Sequence, residues 1–425
     1  MTYIMRYLYT VLFYLALPFI VLRLFWKSRK NPAYRQRIPE RFAYSLKAVT
    51  AGSIWVHAVS VGEVLAAAPL IKKIKQQYPM TPLLVTTMTP TGAERVKAIF
   101  GDAVCHIYVP YDVPGILQRF LQKMQPRLLV LVETELWPNL LHVCSQQKLP
   151  VLVVNARLSA KSAAGYRRLG NFTRSLLNNI TLIAAQNAED GERFIELGLP
   201  RERLRVTGSI KFDLELPGDL TARANLLRQQ WSGERPVWIA ASTHESEEEI
   251  ILNAFQRIRK QMPTLLLIIV PRHPERFTKV ADLCGKYSEQ IVLRSKQIAC
   301  TSATEIFLGD SMGELLLFYA SADIAFVGGS LVKTGGHNPL EPAALGLPVL
   351  TGPHMFNFAV IEKQLKEAGA LITVQNSEEI AAQVMNTLQD RKKYQQMRNA
   401  GLRVIEQNRG ALIKQLALVY SLLNR

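Results

Sequence analysis

Several acids stand where apolar runs end, and they raise the first question of chemistry. In HAVSVGEVLAAAPL, residues 57–70, Glu63 directly follows a glycine where a strand pattern hands over to a helical one. The free N–H groups of a helix start suit a bound phosphate, which a carboxylate from the chain itself repels. Glu63 therefore either serves its own helix dipole or serves chemistry, and the residues alone favour the dipole. In VLVETELWPNLL a buried-looking strand runs straight into Glu133 and Glu135. Acids there must be paired, solvated or functional. Glu135 suits a cap on the next helix, Glu133 less so, and at this spacing only one of them faces a given side. Lys211, in GSIKFDLE, reads more readily as solvated surface than as a functional cation.

The second half repeats another feature, glycine and basic residues just past apolar strands. GGSLVKTGGHNPLEPAALGLPVLTGP, residues 328–353, places Asn338 and Pro339 at the opening of a predicted helix, with Leu340 and Glu341 inside it. Asn caps, Pro fits a first turn, and the glycines allow close backbone approach. Glu341 is suited to accept ribose hydroxyls or to stabilise its own helix. IIVPRHPERF ends a strand at Pro271 and offers Arg272 between two prolines, as a phosphate-binding guanidinium or a solvated turn. GDSMGELLLF follows another strand, with Met312, Gly313 and Glu314 expected to begin a helix.

Other chemistries lack support. The seven histidines, at 57, 106, 142, 244, 273, 337 and 354, show no metal-binding spacing, and there is no GxSxG elbow or P-loop. Four scattered cysteines include no CxxC pair and indicate neither a zinc site nor a disulfide framework.

The elements that must position these residues follow a βα alternation. Short apolar runs at 53, 82, 127, 150 and 181 alternate with helical patterns, pause near 215–232, and restart at 236, 264, 305, 323 and 347. Such alternation predicts two α/β domains with parallel sheets, facing one cleft, with ligand contacts at the carboxyl ends of the strands. The expected organisation is an anchor over 1–30, an N-terminal domain over 31–217, a C-terminal domain over 218–403, and a last segment, 404–425, packing back on the first domain.

The anchor rests on Tyr7–Leu22, sixteen uncharged and mostly apolar residues between Arg6 and Arg23. This is short for a span of ~20 residues, and snorkelling arginines extend its reach. Lys27, Arg29, Lys30, Arg35 and Arg37 then mark the following chain as cytoplasmic. The formal charge is +17, and thirteen of these excess charges fall in two acid-free stretches, 1–39 and 136–188. Clustered bases fit an anionic membrane or nucleic acid, and the apolar N-terminus favours the membrane over nucleic acid.

Taken in order, SVGEV, TTMTPTG, ETELWPN, NARLS, GSIKFD, VPRHPERF, GDSMGEL and GGHNPLEPAA resemble the Kdo transferases of lipopolysaccharide assembly over nearly the whole chain. The resemblance implies a GT-B glycosyltransferase of two Rossmann-like domains, with an N-terminal membrane-anchor helix. It would move 3-deoxy-D-manno-octulosonic acid (Kdo) from CMP-Kdo to a lipid A precursor, lipid IVA, with inversion. It implies Glu63 as general base, Glu133 and Lys211 as transition-state stabilisers, and CMP contacts from Pro271, Arg272, Met312–Glu314 and Asn338–Glu341. No cofactor and no essential metal ion are expected. Arg157, Lys161, Arg167, Arg168 and Arg174 are then candidates to hold acceptor phosphates and to face the anionic leaflet, on the cytoplasmic side of a bacterial inner membrane. Two other readings compete: a sugar-nucleotide epimerase of the same fold, and an anchored lipid-binding module without catalysis.

Overall fold

The computed structural model describes residues 2–29, 31–47, 50–231 and 234–424; Lys30, one of the juxtamembrane bases, lies outside them. The chain divides into two units, residues 1–213 with 409–425, and residues 214–408.

The first unit is built on a seven-stranded parallel sheet of β1 (Ile54–His57), β2 (Leu83–Thr87), β3 (Cys105–Tyr108), β4 (Leu128–Val132), β5 (Val151–Ala156), β6 (Leu182–Ala185) and β7 (Leu204–Val206). Its order is β3-β2-β1-β4-β5-β6-β7, with Ile54–His57 in register against Leu83–Thr86 on one side and Leu128–Leu131 on the other. A parallel sheet is covered on both faces, so its inner strands are apolar on both. Trp55, Leu129, Leu131 and Val153 enter one core, while Ile54, Val56, Val130 and Val154 enter the other. The strand order reverses between β1 and β4, and that reversal opens a crevice at their carboxyl ends.

Helices distant in sequence pack on the two cores. Helix α1 (Thr2–Ser28) lays Phe13, Leu17, Ile20 and Val21 on the Trp55 side. It is long and apolar enough to cross a membrane by length and composition. The opposite face carries α2 (Val61–Gln77) together with the C-terminal helix Ala411–Leu423, through Val64, Leu70, Leu412 and Val419.

The second unit repeats the plan with β8 (Val237–Thr243), β9 (Leu266–Pro271), β10 (Ile291–Leu293), β11 (Ile306–Leu308), β12 (Ile324–Val327), β13 (Val349–Thr351) and β14 (Leu371–Thr373). The order is β10-β11-β9-β8-β12-β13-β14, so the reversal lies between β8 and β12. The helix Arg391–Asn408 runs unbroken to the end of this unit. The 404–425 segment is therefore divided, its first five residues finishing that helix and its remainder returning to the first unit.

Asp213 fixes the returning segment. Its two carboxylate oxygens accept the N–H groups of Gly410 and Leu412, each at 2.6 Å, at the start of the C-terminal helix. Loss of a carboxylate cap costs about 1 kcal/mol, up to ~2. Asp213→Ala is expected to lower Tm by a few degrees, about 2–4 °C per kcal/mol for units of this size. An unchanged Tm in a thermal melt of the full chain would contradict this role.

Candidate active site

Glu63 sits in the third position of α2, and Ser60-Val-Gly-Glu63 folds as a variant of the capping box, in which the glutamate takes the Val59 N–H, one residue before the cap. Ser60 is the N-cap; its Oγ accepts the Glu63 N–H at 3.4 Å and donates to Glu63 Oε1 at 2.9 Å. The other carboxylate oxygen, Oε2, accepts the Val59 N–H at 2.7 Å. The residue is only 8% exposed. Burial pushes its carboxyl from the ordinary 4.5 up to about 7, against the hydrogen bonds from Val59 and Ser60, and the nearby negative charges of Glu135 and Glu133 push the same way. A carboxylate held near neutrality at the β1–β4 switch point is suited to exchange a proton at physiological pH.

The end of β4 supplies its neighbours. Glu133 has a left-handed backbone, φ 60°, unusual for a residue with a side chain and a mark of strain held by its surroundings. Its N–H remains in the sheet, donating to Val154 O at 2.9 Å. Its carboxylate lies 3.4 Å from Lys211 Nζ, and both side chains are about a third exposed. Glu135 accepts the indole N–H of Trp137 at 2.7 Å and is raised by burial. The Trp137 ring in turn packs edge-on against His57, with centroids 5.1 Å apart. His57 is fully buried, and burial lowers it to about 4, so it stays neutral.

Lys211 lies on a single 3-10 turn, Ile210–Phe212, whose position depends on residues distant in sequence. Asn155 Oδ1 accepts the Ile210 N–H at 3.2 Å, and the Asn155 N–H donates to Gln415 Oε1 at 3.1 Å. Gln415 Nε2 reaches Thr207 Oγ1 at 3.0 Å and Gly208 O at 3.2 Å. Asn155 and Gln415 are completely buried, and the sequence reading assigned neither. A glutamine on the apolar side of GALIKQLALVYSLL was the available signal for Gln415.

The five basic candidates are spread more widely. Arg157 immediately follows β5 at the carboxyl edge, and its N–H donates to Thr134 Oγ1 at 3.2 Å. Lys161 and Arg168 are exposed on the helix Ala160–Arg168. Arg167 pairs with Glu196 at 2.8 Å, and Arg174 packs against Gly198.

In the second unit, the nucleotide candidates also follow strand ends. Pro271 closes β9, and the Arg272 N–H donates to Thr243 O at 3.0 Å, leaving the side chain exposed. Asn338 lies just before Pro339, the N-cap of the short helix Leu340–Ala344; its Oδ1 accepts the Leu340 N–H at 3.1 Å, while its Nδ2 donates to Glu341 Oε1 at 3.2 Å. Burial raises the Glu341 carboxyl, opposed by the hydrogen bond from Asn338 and by the charge of Arg272. Met312 and Gly313 do not begin a helix. Gly313 adopts φ 83°, so the chain turns there and the helix starts at Leu315. Glu314 is engaged by Arg294 through two bonds, 2.7 and 3.0 Å, and by the Ser311 hydroxyl at 2.5 Å.

Two groups in this unit went unassigned in the sequence. Fully buried Glu247 gathers four backbone N–H groups, from His244, Gly329, Ser330 and Leu331, at 2.7–2.9 Å, and so fixes the glycine turn after β12. His244 and His337 meet Nε2 to Nε2 at 2.8 Å, and burial with the Arg272 charge lowers His337 to about 4. Among the described residues, no group of three or more His, Cys, Asp or Glu is placed to hold a metal ion.

Comparison with known proteins follows the two units. Residues 36–214 match the family model of 3-deoxy-D-manno-octulosonic-acid transferase, and residues 237–404 match glycosyl transferases group 1. The chain is 45% identical over 423 residues to the 3-deoxy-D-manno-octulosonic acid transferase of Haemophilus influenzae, covering 99% of each. It is 37% identical to that of Bordetella pertussis over 76% of each chain. The crystal structure of UDP-GlcNAc 2-epimerase from Neisseria meningitidis bound to UDP-GlcNAc superposes with a TM-score of 0.56, covering 86% of this chain and 99% of that one. Identity there is 15%, so this likeness concerns the fold alone. With two parallel seven-stranded α/β units of GT-B type and this relationship along its length, the chain belongs to the 3-deoxy-D-manno-octulosonic acid transferases, a family of glycosyltransferases.

Proposed function

We propose that this chain transfers Kdo from CMP-Kdo to a lipid A precursor, lipid IVA, at the cytoplasmic face of the bacterial inner membrane, with Glu63 as the general base. An acceptor hydroxyl attacks the anomeric carbon of Kdo, the bond from that carbon to the phosphate oxygen breaks, and CMP departs with the electron pair. Glu63 takes the hydroxyl proton, and attack opposite the leaving group inverts the centre. The observation that carries the reading is Glu63 itself, buried at the β1–β4 switch point and raised to about 7. A base with that value is ionised in useful fraction while still able to hold the proton it receives.

The remaining residues support the same chemistry. Lys211, held beside Glu133, is the cation for charge developing on the donor's carboxylate or phosphate. Arg272, Met312–Glu314 and Asn338–Glu341 form the CMP site, with Arg272 on the phosphate and Glu341 on the ribose. Arg157, Lys161, Arg168 and Arg174 offer exposed cations for the acceptor phosphates, and Arg167 adds one that is shared with Glu196. Helix α1 and the basic residues around it attach the enzyme to the leaflet that holds its acceptor.

Two measurements on Glu63→Gln test the base assignment from opposite sides. With CMP-Kdo and a tetraacylated lipid A precursor, wild type is expected to release CMP and yield a lipid whose mass increment counts the Kdo units added. The variant is expected to bind donor normally and turn over about 10²–10⁴-fold more slowly. A variant as fast as wild type would remove Glu63 from the mechanism, and wild type that binds the lipid without product would favour a binding module.

Stability is expected to move the other way. Between pH 4.5 and about 7 the folded chain keeps a proton on Glu63 that the unfolded chain has released, so wild-type stability falls as pH rises through this window. The difference corresponds to about 3 kcal/mol once the group is fully ionised. Glu63→Gln, which carries no charge, is expected to melt higher than wild type at pH 8, with the gap closing toward pH 5. A gap independent of pH would contradict the raised carboxyl.

A further inference from the structure

Helix α1 has the composition of a membrane segment, and its contacts determine how it lies. Three polar side chains in its first third are tied to the first unit. Tyr9 Oη donates to Asp112 Oδ2 at 2.9 Å; the Thr10 hydroxyl lies 3.0 Å from Asn139 Oδ1; and Arg6 Nη1 reaches the same oxygen at 3.5 Å. Asp112 is 1% exposed and also accepts the N–H groups of Asn139 and Leu140, at 3.2 and 2.7 Å, at the start of the helix Pro138–Gln146. It belongs to the body of the unit. Further along, Phe13, Leu17, Ile20 and Val21 pack on the Trp55 core, and Lys27 lies over the Tyr34 ring.

These docked positions, 6, 9, 10, 13, 17, 20 and 21, recur at intervals of three and four and so share one helical face. Leu8, Leu12, Leu15, Phe19, Leu22 and Trp26 fall on the opposite face, and all are exposed. The helix thus has a protein side and an apolar side along its whole length.

A crossing helix cannot keep these contacts. From Tyr9 to Ser28 the rise is roughly 28 Å at 1.5 Å per residue, close to the ~30 Å of bilayer hydrocarbon. Spanning would carry Tyr9 to the far side of the bilayer from Ser28, while Asp112, its partner, stays with the sheet. We propose that α1 lies along the membrane interface rather than across it, held between the first unit and an anionic lipid leaflet. Its Leu8–Trp26 stripe enters the acyl region, and both of its ends stay on the cytoplasmic side. Arg6, Arg23, Lys27 and Arg29 flank or interrupt the stripe, with no acid among residues 1–39, which suits anionic headgroups. The proposal rests on the membrane attachment proposed above and specifies its geometry.

The test uses the full chain in bacterial membranes. One form carries a single-cysteine tag ahead of Met1, and a second carries Arg29→Cys. Both are treated with a membrane-impermeant maleimide, in spheroplasts and in inverted inner-membrane vesicles, against the parent chain, whose cysteines are buried apart from half-buried Cys105. Both sites are expected to label in inverted vesicles and neither in spheroplasts. Labelling of the tag in spheroplasts would overturn the proposal. In a separate arm, Thr10→Cys with Asn139→Cys is expected to close a disulfide when inverted vesicles are oxidised. Failure to cross-link, in a double variant that still transfers sugar, would also overturn it. Recovery of the parent chain in the soluble fraction would overturn the membrane attachment itself, and this geometry with it.

Discussion

Keeping a carboxylate buried at the start of α2 is the constraint around which the first unit is arranged. An isolated acid loses its hydration there, and the Val59 N–H and the Ser60 hydroxyl replace only part of it. Glu133 and Glu135 at the end of β4 add like charge, and the result is a group poised near neutrality. The capping role and the proposed catalytic role are therefore one arrangement. The hydrogen bonds that begin the helix also hold the Glu63 carboxylate in place, and burial tunes it.

The cation proposed for this chemistry depends on the end of the chain. Lys211 has no long element of its own. It is carried by a 3-10 turn fixed through Asn155 to Gln415, and the next link, Asp213, caps the same C-terminal helix. The chain leaves the first unit at residue 213, builds the whole second unit, and returns at residue 409 to complete the support for a cation placed near its point of departure. Gln415 suits this task because its amide uses both ends, accepting from the Asn155 N–H and donating to Thr207 and Gly208. In the second unit, Glu247 does comparable work for the glycine turn after β12.

What the sequence revealed follows burial. The ten apolar runs correspond to β1, β2, β4, β5, β6, β8, β9, β11, β12 and β13, all flanked by strands on both sides and nearly all fully buried. The four strands not anticipated are β3, β7, β10 and β14, the edges of the two sheets. Three are only three residues long, and β3 mixes Cys105 and His106 into its pattern, so none carries an apolar run as long as those of the inner strands β4, β8 and β9. The site was legible in part. Glu63 and Glu133 stand out because acids at buried strand ends need explanation. Asn155, Glu247 and Gln415 act through contacts over 55 to 260 positions, which local pattern cannot display. The helix expected at Met312 failed on one backbone angle, the left-handed turn at Gly313.

The most direct test of the central claim is the pH dependence of kcat/KM for Kdo transfer, in wild type and in Glu135→Gln. The profile reports ionisation in the free enzyme, so wild type is expected to rise through a limb centred near 7 as Glu63 loses its proton. Removing the Glu135 charge is expected to move that limb to lower pH, because a negative neighbour holds the Glu63 proton in place. A profile flat between about pH 5.5 and 8.5, or a limb that stays in place in Glu135→Gln, would contradict Glu63 as the tuned base.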